Sequence, residues 1–274
     1  MMFCESASES SPDMANASRR IKPAEIDECR AHKVGDIVEL KLGYDGIVFV
    51  TSVDGPDFPL TKAALFLALA REVPKNGKLI TNNYTRWNEI DPALPDIPIR
   101  VYGPPPTSGT RDAFAELVME EGCKAFPLFG ETYADKEVLK RQCQTLREDG
   151  VYIEAGENDN LIVQKLSNDN EALAIFGYSF LEQNVALVKA HPVDGVMPSF
   201  ANIIDGKYHV ARSLYTYVKT SHVEKVPGLH DFLKELTSDA ATGENGYLIL
   251  KGLLPLPQDE QKETQRMARE LTPL

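Results

Sequence analysis

Apolar and polar positions along the chain switch between strand-like and helix-like spacing. Runs rich in β-branched residues at 37–42 and 47–53 predict two strands joined by a turn at 43–46. Thr61 predicts the cap of a helix over 62–72, in which apolar residues recur on one face. The same alternation of strands and helices continues through the chain, so the pattern predicts an α/β fold.

The remaining elements follow from the same spacing. Further strands are predicted at 97–101, 151–154, 173–176, 186–190 and 213–218. Further helices are predicted at 23–31, 113–121, 135–148, 161–166, 179–182, 198–204, 231–236, 244–251 and 257–271. Asn158 and Asp159 are expected to cap the helix that contains Leu161. Residues 1–13 are rich in Ser and Glu and predict a poorly ordered lead-in.

The strongest candidate chemistry lies at 102–114, where a turn with three prolines leads into a helix. The first turn of this helix holds Ser108, Gly109 and Thr110. Unpaired N–H groups and the helix dipole favour an anion there, and glycine allows an anion to approach the backbone closely. Arg111 could add a charge-assisted clamp. The alternatives are an ordinary Ser cap, and an Arg111 side chain that lies along the helix exterior.

Composition restricts the classes of function. The chain has 274 residues, 43% hydrophobic and 26% charged, as expected for a globular protein of two modest domains or one large one. Its net charge of −12 argues against binding to nucleic acid or to an anionic membrane. No apolar run has the length of a membrane span, and no signal peptide is recognised in the chain as written. An anion would therefore have to be held by local geometry.

The four cysteines and five histidines show no metal-ligand spacing. Pairing of neighbours along the chain suggests Cys4–Cys29 and Cys123–Cys143 disulfides. Four cysteines allow three connectivities, however, and four reduced buried thiols are the alternative. The histidines are interpreted as structural or solvated. No nucleotide-binding loop, hydrolase or metalloprotease motif is present, which predicts a protein that is not an enzyme and needs no cofactor.

Several segments resemble, in the same order, the phosphate-binding proteins that feed phosphate ABC transporters. The run TSGTRDAF, from Thr107 to Phe114, resembles the phosphate-contacting loop of that family. The other similar segments are ANASRRI at 15–21, GYDGIV at 43–48, FGY at 176–178, PSFANIIDGKY at 198–208 and RSLYTYV at 212–218. The similarity covers nearly the whole chain.

The resemblance implies a type II periplasmic-binding-protein-like fold, in which two lobes enclose a ligand cleft. Lobe I would comprise residues 1–44 and 212–274, and lobe II residues 45–211. The crossings between the lobes are expected near 42–47 and 208–214. The family also implies a periplasmic monomer and favours the two disulfides.

The resemblance implies that phosphate is bound by Ser108, Gly109, Thr110 and Arg111 in lobe II and by Ser18 and Arg19 in lobe I. Two positions depart from the family pattern. An Asp that accepts the proton of hydrogen phosphate is replaced by Ser18. The Arg that precedes the SGT triplet by four residues is replaced by Pro104, so Arg111 is the expected substitute. The alternative for Arg19 and Arg20 is a solvated pair.

The family's opening strand and its first Ser/Thr-bearing loop have no counterpart in this chain. Lobe I is therefore expected to be incomplete through N-terminal truncation, and a signal peptide would have been lost with the same segment. If the chain truly begins at residue 1, weak or no phosphate binding is expected. Asp45 could accept a phosphate proton, although a hinge turn at Asp45-Gly46 is the simpler interpretation.

The predicted function is binding of inorganic phosphate and its delivery to the permease subunits of an ABC importer. One alternative is an oxyanion-binding or partner-interaction protein with a degenerate binding lobe, which would have no role in transport. Another is a phosphatase, which would need a nucleophile or metal-binding carboxylates around the anion. Retained anion binding or turnover of a phosphate ester would distinguish these functions.

Overall fold

The computed structural model describes residues 2–156 and 159–274, and the chain divides into two compact units. Unit 1 comprises Met1–Asp45 and Arg212–Leu274, and unit 2 comprises Gly46–Ala211. Both units combine helices with β-sheet, so the predicted α/β class is confirmed.

The elements are numbered in chain order. The strands are β1 Met14–Ala17, β2 Ile37–Ser52, β3 Glu72–Lys75, β4 Lys78–Thr81, β5 Val101–Gly103, β6 Tyr152–Glu154, β7 Leu173–Gly177, β8 Val188–Ala190 and β9 Ala211–Lys219. The helices are α1 Pro23–Ala31, α2 Lys62–Leu69, α3 Gly109–Phe114, α4 Glu121–Cys123, α5 Leu128–Thr132, α6 Lys136–Gln144, α7 Asp159–Asn168, α8 Tyr178–Gln183, α9 Phe200–Ile204, α10 Thr220–Val223, α11 Leu229–Leu236, α12 Asp239–Thr242 and α13 Gln258–Glu270. A π-helical segment, Ala115–Glu120, joins α3 to α4, so the backbone is helical from Gly109 to Cys123.

Unit 1 is built on a sheet in which β9 lies between β1 and the first part of β2. Alternate residues of these strands enter different apolar clusters, because side chains of a strand alternate between its two faces. Ile37 and Tyr217 pack with residues of α1, whereas Val38 and Val218 pack with residues of α11 and α13. The sheet is therefore covered by helices on both faces.

The predicted disorder of residues 1–13 is wrong for the described part of that segment. The buried ammonium of Lys219 donates hydrogen bonds of 2.7 Å to the Ser6 carbonyl and to Ser11 Oγ. The His222 ring lies 2.6 Å from an Asp13 carboxylate oxygen. A buried cation needs oxygen partners, and this polar segment supplies them. The segment is therefore ordered, although its composition predicts disorder.

Unit 2 contains the parallel part of the sheet. Strand β5 pairs in parallel with β6 and β7, and β7 pairs antiparallel with the second part of β2. The chain continues from the carboxyl ends of β5, β6 and β7 into α3, α7 and α8, respectively. These three ends form one edge of the sheet, which we call the carboxyl edge. In open α/β sheets, ligands bind beyond such an edge.

The predicted turn at residues 43–46 is wrong, because β2 continues through it as one strand. The backbone N–H and carbonyl of Tyr44 exchange hydrogen bonds of 2.9 Å with those of Leu254. A Cβ at Gly43 would lie 2.4 Å from the Leu254 carbonyl oxygen, so the glycine serves close packing here. The contact that keeps this segment extended comes from residues about 210 positions later in the chain, as the numbering shows.

Two other predicted elements differ from the structure. The helix expected over 62–72 ends at Leu69, and the chain then forms the β3–β4 hairpin. Asn76 and Gly77 both have positive φ in its turn, a known hairpin signal that the helical interpretation overlooked. The helix expected over 244–251 is absent apart from a 3-10 turn at Ile249–Lys251. The predicted cap at Asn158 lies outside the described residues, and α7 begins at Asp159.

Both predicted disulfides are confirmed. Cys4 is bonded to Cys29, which ties the N-terminal turn to α1, and Cys123 is bonded to Cys143, which ties α4 to α6. Among the described residues, no group of three His, Cys, Asp or Glu side chains could hold a metal ion. Within the same residues, no helix is both long and apolar enough to span a membrane.

Candidate functional site

The predicted anion-binding run lies at the carboxyl edge of unit 2. Strand β5 ends at Gly103, and the proline turn brings the chain to Ser108, the N-cap of α3. The N-terminus of this helical run therefore follows directly on a parallel strand. This arrangement directs backbone N–H groups and the positive end of the helix dipole beyond the edge of the sheet.

Ser108 is an N-cap, as the simpler interpretation predicted. Its Oγ accepts a hydrogen bond of 3.2 Å from the Thr110 N–H, and its carbonyl accepts one of 3.0 Å from the Arg111 N–H. A serine hydroxyl has one donor and two acceptor positions, so capping leaves its O–H proton available for an oxyanion. Gly109 is exposed, and a Cβ there would meet nothing within 4 Å. There is therefore space beside the Cα of this glycine.

Arg111 is held at the start of the helix. Its guanidinium carbon lies 4.5 Å from the centroid of the Tyr152 ring, and its Nη1 donates a hydrogen bond of 3.3 Å to the Pro104 carbonyl. The side chain therefore folds back toward the proline turn, which excludes the predicted alternative of an outward position along the helix. Asp112 is the only acidic residue in the first turn of α3 and is exposed, so it partly offsets the local positive potential.

Tyr152 lies on β6 and stays protonated at neutral pH. Burial raises the pKa of its hydroxyl to about 12, and the Arg111 cation opposes that shift. The neutral hydroxyl donates a hydrogen bond of 2.8 Å to the same Pro104 carbonyl that Arg111 contacts. Two side chains from different elements thus converge on one carbonyl of the proline turn.

Ser18 and Arg19 lie in unit 1, in the connection between β1 and α1. Arg19 donates two hydrogen bonds, of 2.9 and 2.7 Å, to the two carboxylate oxygens of Glu25. These bonds and the Lys22 backbone N–H lower the pKa of Glu25 from 4.5 to about 2. Arg20 forms a similar pair with the buried Glu39. Both arginine side chains stay more than half exposed, at 53% and 69%, which agrees with the predicted alternative of a solvated pair, although each one also pairs with a glutamate.

This connection is anchored by Tyr217, whose hydroxyl accepts a hydrogen bond of 2.7 Å from the Ile21 N–H and donates one of 2.9 Å to Glu39. A small pocket of about 210 Å³ lies beside it. The lining residues are Asn16, Ala17, Ser18, Arg19, Ile21, Glu25 and Tyr217. Ser18 and Arg19 therefore share one polar concavity within unit 1.

Asp45 is the last residue of the N-terminal segment of unit 1, and Arg212 is the first of its C-terminal segment. The Arg212 Nε lies 3.4 Å from an Asp45 carboxylate oxygen. The pKa of Asp45 is raised, because the effect of burial exceeds the opposing effect of the Arg212 cation. This pair links the two segments in an extended backbone, and no hinge turn is formed at Asp45-Gly46.

Comparison with known proteins places the chain in a family. A family model described as a PBP superfamily domain matches residues 2–240. The chain belongs to the PBP superfamily. This superfamily is one of solute-binding proteins and not a family of enzymes.

Relatives within the PBP superfamily are moderately similar in sequence. Protein SphX of Synechococcus elongatus is 30% identical over 219 residues, which cover 78% of this chain and 55% of SphX. The phosphate-binding protein PstS of Staphylococcus saprophyticus is 27% identical over 262 residues, which cover 93% of this chain and 68% of PstS. The chain thus spans little more than half the length of this SphX and about two thirds of this PstS.

The predicted periplasmic-binding-protein-like fold is confirmed. The crystal structure of a possible phosphate binding protein from Planctomyces limnophilus superposes with a TM-score of 0.72 at 23% identity. The match covers 98% of this chain and 84% of that one. At this level of identity the similarity establishes the architecture of the PBP superfamily and leaves the ligand to be argued from the site.

The residues that support the candidate ligands have no recognisable signal in the sequence. Tyr152 lies in a predicted strand, and nothing in the sequence around Glu25, Glu39 and Tyr217 predicts that they hold Arg19, Arg20 and Ile21. The carboxyl-edge rule would have pointed to the end of β6 once the parallel pairing of β5 and β6 was known. The sequence by itself does not reveal which strands pair.

Proposed function

We propose that this chain binds inorganic phosphate and delivers it to the permease subunits of an ABC importer, acting in the periplasm. The observation that carries the proposal is the start of the helical run Gly109–Cys123, where hydroxyl groups, a glycine with space beside its Cα and Arg111 lie beyond the carboxyl end of β5. Relatives that bear the name phosphate-binding protein support the choice of ligand.

The proposed ligands in unit 2 are Ser108, Gly109, Thr110 and Arg111. Phosphate loses its hydration shell on binding, so each of its oxygens needs hydrogen-bond donors. Hydroxyl and backbone N–H donors suit a tetrahedral oxyanion without adding charge, and one guanidinium supplies the counter-charge. The net charge of −12 makes these fixed local donors necessary, because the protein as a whole repels an anion.

The proposed ligands in unit 1 are Ser18 and Arg19. Glu25 holds the Arg19 guanidinium by both oxygens, which fixes the orientation of a long side chain before any anion arrives. Because Ser replaces the acidic residue expected from the family, selection of hydrogen phosphate over sulfate is left to another group. Asp45 is the carboxyl group that we propose for this role. In its ionised form, which the Arg212 cation favours, it can accept the proton of hydrogen phosphate, whereas it repels fully ionised sulfate.

Titration calorimetry with inorganic phosphate tests the proposal. We expect the unmodified chain to bind phosphate, and Arg111→Ala to weaken binding on the order of ten- to a hundredfold through loss of a charge-assisted contact. Arg19→Ala should weaken it in the same direction. The matched controls are Arg141→Ala in α6 and Arg30→Ala in α1, because both arginines are exposed and lie outside the proposed ligand set.

Three results would contradict the proposal. One is no heat of binding with phosphate, and another is an Arg111→Ala variant that binds as tightly as the control variants. The third is turnover of p-nitrophenyl phosphate by the purified chain, which would favour a phosphatase.

Delivery to a permease is tested in cells by deleting the gene and measuring uptake of radiolabelled phosphate. Uptake should lose its high-affinity component.

A further inference from the structure

The Arg111 guanidinium lies over an aromatic ring that comes from a different element. Its carbon is 4.5 Å from the centroid of the Tyr152 ring, within the range of a cation–π contact. Arg111 belongs to α3, whereas Tyr152 is the first residue of β6, about 40 positions later in the chain. The contact therefore exists only because β5 and β6 pair in parallel.

The Tyr152 ring is itself fixed. Its side chain is buried, and its hydroxyl donates a hydrogen bond of 2.8 Å to the Pro104 carbonyl. Gly103 makes this position possible, because a Cβ there would lie 2.2 Å from the Tyr152 hydroxyl oxygen. Since any larger residue at position 103 would displace the ring, the glycine and the tyrosine form one packed arrangement.

An arginine that binds an anion loses affinity if its side chain must first be ordered. Fixing a long side chain costs entropy, and a partner that orders it beforehand reduces this cost on binding. A guanidinium has five N–H donors, so contacts with one aromatic side chain and one carbonyl leave further donors for an oxyanion. Tyr152 therefore has the position and the chemistry to prepare Arg111 for an anion.

We propose that Tyr152 is a positioning residue for phosphate, which acts through Arg111 by holding its guanidinium at the start of α3. The inference rests on the proposed function. It explains how an arginine located after the SGT triplet can serve although Pro104 replaces the arginine expected before it. The Pro104 carbonyl is the fixed point of this arrangement, because both side chains donate to it.

A double-mutant cycle measured by calorimetry with inorganic phosphate tests this role. We expect Tyr152→Leu to weaken phosphate binding about tenfold, as loss of a buried cation–π contact would. Tyr152→Phe keeps the ring and should retain most of the affinity. In an Arg111→Ala background, Tyr152→Leu should cause no further loss, because the residue through which it acts is absent.

The control for loss of a tyrosine is Tyr133→Leu, because Tyr133 lies in the same unit and its hydroxyl contacts Glu72. It should bind phosphate like the unmodified chain. Thermal unfolding of each variant shows whether it is folded. If Tyr152→Leu does not fold, Tyr152→Met, which also lacks the ring, replaces it in both backgrounds of the cycle.

The outcomes separate this inference from the function on which it rests. Equal losses from Tyr152→Leu with and without Arg111 would overturn the positioning role and leave phosphate binding intact. Unchanged or tighter binding by Tyr152→Leu would also overturn it. No binding of phosphate by the unmodified chain would overturn the proposed function and, with it, this inference.

Discussion

At the scale of single residues, the clearest consequence of burial concerns His191. Its Nδ1 accepts a hydrogen bond of 3.2 Å from the Phe58 N–H, so its Nε2 carries the proton and donates to Thr51 Oγ, 2.9 Å away. The Thr51 hydroxyl in turn donates to the Ser52 carbonyl. The neutral ring satisfies every group in this buried chain of hydrogen bonds. A protonated ring would carry a proton on Nδ1 and could no longer accept the hydrogen bond from the Phe58 N–H.

We predict that acid destabilises the protein through His191. Burial lowers its pKa from 6.5 to about 4, so the unfolded chain binds more protons between these two values. The stabilising contribution is complete above pH 6.5 and is lost as the pH falls toward 4, by at most about 3 kcal/mol. Chemical denaturation across this pH range should show the loss.

The His191→Gln variant is the control for this pH dependence. Glutamine can form hydrogen bonds but does not titrate, so its free energy of unfolding should fall less between pH 6.5 and pH 4. An equally steep fall in the variant would mean that other groups cause the acid sensitivity.

At the scale of elements, the helical run that starts at the candidate site depends on close packing at its far end. A Cβ at Gly122 in α4 would lie 2.3 Å from the Lys62 carbonyl oxygen and 2.9 Å from the Phe66 Cβ, both in α2. The first of these neighbours is backbone and cannot move aside without shifting α2. The glycine therefore sets how closely the two helices approach.

We predict that Gly122→Ala destabilises the protein by roughly 1–3 kcal/mol, because the added methyl group forces the helices apart. Gly130→Ala is the matched control, since Gly130 lies within α5 and a Cβ there meets nothing within 4 Å. Alanine favours the helix there, so this control should be neutral or slightly stabilising. Denaturant unfolding of both variants measures the difference, and equal stabilities would refute the packing argument.

At the scale of the whole molecule, each disulfide constrains one unit. The Cys123–Cys143 bond spans 20 positions of unit 2 and joins α4 to α6, and the Cys4–Cys29 bond spans 25 positions of unit 1. Both bonds close loops short enough that each restrains local structure rather than the entire chain. The oxidised state agrees with the periplasmic location that we propose.

We predict that replacing both Cys123 and Cys143 by Ala lowers the free energy of unfolding by about 3 kcal/mol, the amount expected for a loop of this length. The variant should then lose less stability on reduction than the unmodified chain does, because only the Cys4–Cys29 bond remains to be reduced. Denaturant unfolding with and without dithiothreitol measures both effects. A variant as stable as the oxidised chain would show that the bond has no stabilising role.

Much of the fold could be predicted because its signals are local. The Ser108 cap, the helix after Pro23 and the strand over 213–218 depend on neighbouring residues, and the structure has each of them. The pairing of cysteines was predictable because near neighbours along the chain are the simplest partners. The family resemblance fixed the overall architecture, since ordered motifs persist where their spacing is constrained by the fold.

The errors arose where distant residues decide the local conformation. The segment around Gly43 has a turn-like sequence, yet the backbone of Leu254 holds it in β2. The Ser-rich N-terminal segment has a disordered composition, yet Lys219 and His222 order it. In each case, burial of a polar group or close packing outweighs a weak local preference.

By itself, the sequence determined the α/β class, the superfamily and the choice of Ser108, Gly109, Thr110 and Arg111 as candidate ligands. Only the tertiary structure decided how Arg111 is held, because the ring that supports it belongs to a strand about 40 residues away. The physical reason is the distance along the chain between the residues that interact. Capping and periodicity act between neighbours along the chain, whereas stacking and burial depend on which strands lie side by side.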